Sequence, residues 1–328
     1  MWIRAIIPLL LLQIIIMFSG CTEPNFGPGG PYCSVIGNCQ VDEGPAEVID
    51  IVSFQEIKVL PATSSFRPGT KIDVIVTLRN MLPDEKVDLS YIGIADMGIF
   101  KCAEGSECSY EGQQLAPSQI RTFAFSIIAP DNIGSMAIDS NIEVATIYSY
   151  GASRLTTISF VERETYIGYL NAGGKVPTHI VNKPSSGPVE LSLDISNLEQ
   201  PLLHDTENER TYQVFLSVIN KGGGVINRIS AGNLTLEFEK DSGSDAPMEF
   251  EDCSDIFEAC SGQSIASSKE IRLLGKVPHK YYLSFKPTGG ISFTDARPIY
   301  TAKISSKASY TYRIGKTQTI RVSPRSNI

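Results

Sequence analysis

Ile72-Asp73-Val74-Ile75-Val76-Thr77-Leu78-Arg79-Asn80 decides the fold class. Ile72, Val74, Val76 and Leu78 occupy alternate positions, the period-2 pattern of a strand that buries one face. The pattern returns 140 residues later (212 minus 72) as Tyr212-x-Val214-x-Leu216-x-Val218-x-Asn220, again closed by an asparagine. Further strands are expected at 48–60, 91–100, 120–128, 142–150 and 155–161. Between them stand turn signals such as Pro68-Gly69, Pro83-Asp84 and Pro130-Asp131-Asn132. Short strands punctuated this often predict a β-sandwich rather than a helical or α/β fold.

Other segments echo in the same order. Cys102 and Cys108, followed by Gly112-Gln113, match Cys253 and Cys260, followed by Gly262-Gln263. Phe123-x-Phe125 before Pro130 matches Ile271-x-Leu273 before Pro278. Tyr148-Ser149-Tyr150 matches Tyr310-Thr311-Tyr312, and Thr157-Ile158 matches Thr319-Ile320, both 162 residues apart. Ordered matches of this kind point to a tandem duplication. The expected architecture is all-β, with two immunoglobulin-like β-sandwich domains in tandem. They span residues 47–165 and 189–328, with a Gly- and Pro-containing linker at 166–188.

The chain has 328 residues and a net charge of −8, so two cores are affordable in length. An acidic chain is not suited to neutralising phosphates, which argues against a nucleic-acid partner. At the N-terminus, Arg4 precedes an apolar stretch from Ala5 to Phe18 and the small residues Ser19-Gly20 before Cys21. This is the layout of an export signal over 1–20. Phe18-Ser19-Gly20-Cys21 resembles a lipoprotein lipobox, which implies lipidation of Cys21. An uncleaved N-terminal helix and plain secretion are the alternatives. All three place the body of the chain outside the cytoplasmic membrane. Residues 21–46, rich in Pro and Gly, read as a tether. The six remaining cysteines form three close pairs, Cys33/Cys39, Cys102/Cys108 and Cys253/Cys260, whose local bridging fits an oxidising compartment.

Ser217-Val218-Ile219-Asn220-Lys221-Gly222-Gly223-Gly224 resembles the CARDB-like immunoglobulin domains common on prokaryotic, especially archaeal, cell surfaces. In the first half Asn80 is kept, but Met81-Leu82-Pro83 replaces the glycines. The resemblance implies a seven-stranded sandwich acting as spacer or adhesive module. It carries over no catalytic residue.

The residues themselves contain no nucleophile elbow, zinc-protease motif or phosphate loop. His179, His204 and His279 each lie in or beside a Pro-containing loop without a companion at ligand or triad spacing. Gly222-Gly223-Gly224 reads as a turn needing positive φ. Nine acidic residues crowd the segment 237–258 against a single lysine. Asp241, Asp245, Glu249 and Glu251 there are the candidate ligands for calcium; a solvated acidic loop is the alternative, and no other cofactor is expected. After Asp295 the chain is purely basic, with Arg297, Lys303, Lys307, Arg313, Lys316, Arg321 and Arg325. These are outward positions of the last strands, or a contact for an anionic surface polymer. Asn233-Leu234-Thr235 is the lone N-glycosylation sequon. The expected function is that of a non-enzymatic envelope lipoprotein that meets other surface proteins or polymers. A receptor or accessory subunit for a sugar or metal ion is the alternative.

Overall fold

The computed structural model describes residues 50–324, apart from 175–181, 196–197, 199, 205–209, 227, 240–247, 259, 289–290, 292 and 294–297. The strands of the first half are β1 (Val52–Leu60), β2 (Lys71–Asn80), β3 (Val87–Asp96), β4 (Lys101–Cys102), β5 (Ser109–Leu115), β6 (Ile120–Ile128) and β7 (Ile138–Glu162). Then come a helix α1 (Arg163–Asn171), β8 (Asn182–Pro184), β9 (Val189–Asp194), β10 (Leu202–His204), β11 (Tyr212–Asn220) and β12 (Val225–Ile226). β13 (Leu234–Phe238), β14 (Met248–Cys253), β15 (Ser264–Ala266), β16 (His279–Pro287) and β17 (Ile299–Val322) complete the order.

The fold is all-β and sandwich-like. β2 sets the pattern: Ile72, Val74, Val76 and Leu78 are fully buried, while Lys71, Asp73 and Arg79 are exposed. It sits inside a four-stranded sheet ordered β1-β2-β6-β4, and its echo β11 sits inside a second one ordered β14-β16-β11-β9. Both sheets cover a nine-stranded central sheet whose main path is β15-β13-β17-β7-β3-β5.

The two expected units share this central sheet. β7 and β17, of 25 and 24 residues, pair antiparallel without a register shift from Ile138↔Val322 to Val161↔Ile299. At about 3.3 Å per residue the ladder runs about 80 Å. No proline interrupts either strand, and β-branched residues and tyrosines fill them, so nothing local ends them early. Each strand serves both lobes: the first part of β7 pairs with β3, while the first part of β17 pairs with β13.

The register makes the duplication explicit. Ser149 pairs with Thr311, and 311 minus 149 is 162, the offset seen in the tyrosine motifs. A twofold rotation about that pair exchanges β7 with β17. It also exchanges the parallel bridge Phe66↔Val322 with the parallel pair Leu202↔Phe160. One expected match needs correcting. Val74 and Val76 pair with Phe125 and Phe123, while Val214 and Leu216 pair with Leu283 and Tyr281. The counterparts of Phe123 and Phe125 are therefore Tyr281 and Leu283. Ile271 instead bridges Ile229 outside the strands. Similarly, Gly262-Gln263 precedes β15, whereas Gly112-Gln113 lies inside β5. An apolar alternation before a proline recurs at both places in the second half, and pairing alone selects between them.

Candidate functional site

The middle of the long ladder is a waist between the lobes. Because Tyr148 and Tyr150 lie two residues apart, they share one face of β7, and they pair with Tyr312 and Tyr310 on β17. Four tyrosines therefore meet on the buried side. Tyr148 and Tyr312 are fully buried with ring centroids 5.5 Å apart. Tyr312 Oη donates to Asp50 Oδ1 at 2.7 Å and accepts from the Gly224 N–H at 2.5 Å. The Gly223 N–H donates to the same carboxylate at 3.1 Å. Burial pushes the Tyr312 hydroxyl well above the usual tyrosine range, and the bond to Asp50 pushes it further.

This contact corrects the reading of the glycine run. None of Gly222, Gly223 and Gly224 has positive φ. A Cβ on Gly222 would strike the Tyr312 hydroxyl, Asp50 and Pro188, and one on Gly224 would strike the Arg313 carbonyl and the Tyr312 ring. The glycines are there because backbone and tyrosine approach each other closely. The symmetry-related place lacks the anchor. Val52 pairs with Asn80 as Val189 pairs with Asn220, so Asp50 corresponds to Gly187. Gly187 (φ +128°) lies against the Tyr150 ring and the Tyr310 hydroxyl. Asp50 thus ties the N-terminal end of the described chain to the waist rather than to a tip.

Beside this part of the ladder lies a polar groove of about 570 Å³ lined by Ser149, Tyr150, Arg228, Ser230, Asn233, Ser309, Tyr310 and Thr311. Asn233 is exposed in the turn before β13; its N–H donates to Ser230 O at 3.0 Å and its carbonyl accepts from the Ser309 N–H at 2.9 Å. The sequon asparagine therefore opens onto the groove, while Leu234 beside it is fully buried. Arg228 pairs with Glu270 at 3.2 Å. Hydroxyls, an amide and a paired guanidinium can bind by hydrogen bonds; the lining holds no nucleophile with an adjacent base.

The other residues singled out by sequence fall elsewhere. Cys102–Cys108 and Cys253–Cys260 are disulfides with Cα atoms 5.9 and 5.7 Å apart, each closing a short loop beside a strand. Cys21, Cys33 and Cys39 lie outside the described residues, as do His179, Asp241, Asp245, Arg297 and Arg325. Glu249 and Glu251 on β14 approach Lys286 Nζ at 3.6 and 3.2 Å. Thr211 Oγ1 also donates to Glu251 at 2.6 Å. Hydrogen bonds from Thr211 and Lys286 hold the Glu251 carboxyl below its usual value. Among the described residues no three His, Cys, Asp or Glu side chains gather as a metal site. His204 is buried against Phe293, with ring centroids 5.6 Å apart, and His279 Nε2 accepts a 3.5 Å bond from the Leu274 N–H. Of the basic residues on β17, Arg313 pairs with Glu143 at 2.8 Å and Arg321 with Asp139 at 3.8 Å. Lys303, Lys307 and Lys316 are exposed and make no ion pair among the described residues. No helix among the described residues is long and apolar enough to cross a membrane.

No protein-family model matches the chain, and no curated protein sequence does. Among solved structures it aligns with a protein of unknown function from Porphyromonas gingivalis, at 11% identity over 70% of this chain and 82% of that one, TM-score 0.18. A Salmonella alpha-2-macroglobulin mutant aligns at 8% identity over 84% of this chain and 23% of that one, TM-score 0.17. Collagen adhesin from S. aureus aligns at 11% identity over 84% and 89%, TM-score 0.11. Scores this low do not establish a shared topology.

Proposed function

We propose that the protein is a non-enzymatic module of the cell envelope. It is exported, held to the extracellular face of the cytoplasmic membrane through a lipid on Cys21 and the tether 21–46, and binds other surface proteins or polymers. The lipobox-like Phe18-Ser19-Gly20-Cys21 and the local cysteine pairs support export, and the CARDB-like strand end supports a prokaryotic surface setting. The observation that carries the reading is the uninterrupted β7–β17 ladder of 24 residue pairs. A hinge between the lobes would have to break that ladder, so they move as one stiff body, as a spacer or adhesive module requires. The exposed lysines 303, 307 and 316 are a contact for an anionic surface polymer.

Co-sedimentation of oxidised residues 22–328 with cell envelopes from the source organism tests this. Saturable pelleting that weakens as salt rises is expected, because screening weakens exposed charge contacts. Lys303→Glu with Lys307→Glu should lower the pelleted fraction severalfold. Pelleting at no salt concentration would refute the adhesive reading. Cys21→Ala should abolish incorporation of labelled fatty acid into the full chain; undiminished incorporation would refute a lipid on Cys21. A second reading, as a ligand receptor, is favoured by the polar groove at the waist.

A further inference from the structure

We infer that the second lobe carries a binding site for an acidic saccharide in the cleft between α1 and β10. The cleft has a volume of about 520 Å³ and is lined by Tyr166, Gln200, Pro201, Leu203, Arg210 and Tyr212 among others. That size suits one or two sugar rings.

Gln200 supplies the most specific observation. Its Oε1 accepts the Ser159 N–H at 2.9 Å, which fixes which end of the amide faces the strand. The Nε2 end is buried and has no acceptor among the described residues. A buried amide donor left unpaired is costly, and a ligand oxygen would relieve it. Tyr212 forms a rigid wall: its Oη donates to Leu203 O at 2.9 Å and its ring stacks on Phe285 at 5.6 Å. Burial lifts the Tyr212 hydroxyl above its usual value, and the Arg210 charge partly offsets the shift. Tyr166 also lines the cleft, on a helix with no buried residue. Core packing therefore does not account for where α1 lies.

Tyr166 and Tyr212 supply aromatic surface of the kind that packs on the C–H side of a pyranose. The amide donor meets a ring or hydroxyl oxygen, and a guanidinium is the side chain best shaped for a carboxylate. Among the described residues that line the cleft, Arg210 is the one charged side chain. The inference deepens the receptor reading and stands without the envelope one.

Isothermal titration of oxidised residues 22–328 with glucuronate, galacturonate, glucose and galactose tests it, since no envelope component is present. The uronates are expected to bind with Kd on the order of 1 mM, and the neutral sugars about tenfold more weakly. Arg210→Ala should erase the preference for uronates, and Tyr166→Ala should weaken all four sugars. Gln200→Glu keeps an acceptor for Ser159 but replaces the donor with an anion, so it should abolish uronate binding while circular dichroism still shows the strand signal of a folded chain. No heat up to about 20 mM uronate, or uronate binding that these variants leave unchanged, would overturn the inference. Envelope pelleting that persists in the Arg210→Ala variant would leave the envelope reading standing while the site fails or succeeds on its own titration.

Discussion

Two asparagines do the same work 140 residues apart. Asn80 Nδ2 donates to Glu85 O at 2.7 Å and Ala116 O at 3.0 Å, while its Oδ1 accepts the Leu82 N–H at 2.9 Å. Asn220 Nδ2 donates to Gly224 O at 2.9 Å, and its Oδ1 accepts the Gly222 N–H at 3.0 Å. Both side chains are buried, so each must close the loop that follows its strand. Asn80→Ala and Asn220→Ala should each cost about 2–3 kcal/mol in urea unfolding, because several buried partners lose their bonds together. A near-zero effect at either site would deny the shared role. The tyrosines divide differently. The hydroxyls of Tyr148 and Tyr310 are buried and make no well-aligned hydrogen bond among the described residues, with only the backbone of Val52 and of Val189 acting weakly on them. Tyr148→Phe and Tyr310→Phe should therefore be neutral or stabilising, whereas Tyr312→Phe should cost about 1–2 kcal/mol through Asp50 and Gly224. Burial raises all three hydroxyls above the ordinary value. The unfolded chain then ionises first, so this contribution is complete below about pH 10 and is lost as pH rises beyond it. Tyr148→Phe should reduce the alkaline loss of stability by about 1.4 kcal/mol in total between about pH 9 and 11, read from urea curves.

Among the elements, the short strands were legible and the long ones were not. The alternation over 72–79 and 212–220 matches β2 and β11 closely. Ile142–Tyr150 and Leu155–Val161 read as two strands because Gly151 and Ser153 interrupt the apolar pattern. The structure runs them together as β7, with both residues exposed. Hydrogen bonds to β17 across the gap continue where apolar signal stops, and sequence periodicity does not register them. Amide exchange should therefore find one slow-exchanging unit through the middle of β7 and β17; a fast-exchanging break at 150–153 would contradict it. The disulfides close loops of only a few residues. Reducing both should leave the sheets folded and cost about 2 kcal/mol for each by loop entropy, measured as a lower melting temperature without loss of strand signal.

At the scale of the molecule, the last strand of the chain completes the first lobe. Ending the chain after Tyr312 would remove the partner of Ile138–Ile147 and uncover Ile142 and Val144, both fully buried. The first lobe should then lose its protection in amide exchange although every residue of 47–165 is still present. A first lobe that stays protected would show that it is independent of the ladder. Small-angle scattering should likewise give one extended particle whose dimensions do not change with salt. By itself the sequence determined the all-β class, the duplication, the two described disulfides and the strands flanking Asn80 and Asn220, since alternation, cysteine spacing and turn residues are local signals. Only the tertiary structure decided that the lobes exchange strands, that Asp50 docks on Tyr312, that the glycine run answers a close approach, and that Tyr166, Gln200 and Arg210 line one cleft. Those features depend on pairing between residues far apart in the chain. A strand's own pattern says which face it buries but not which distant strand it meets.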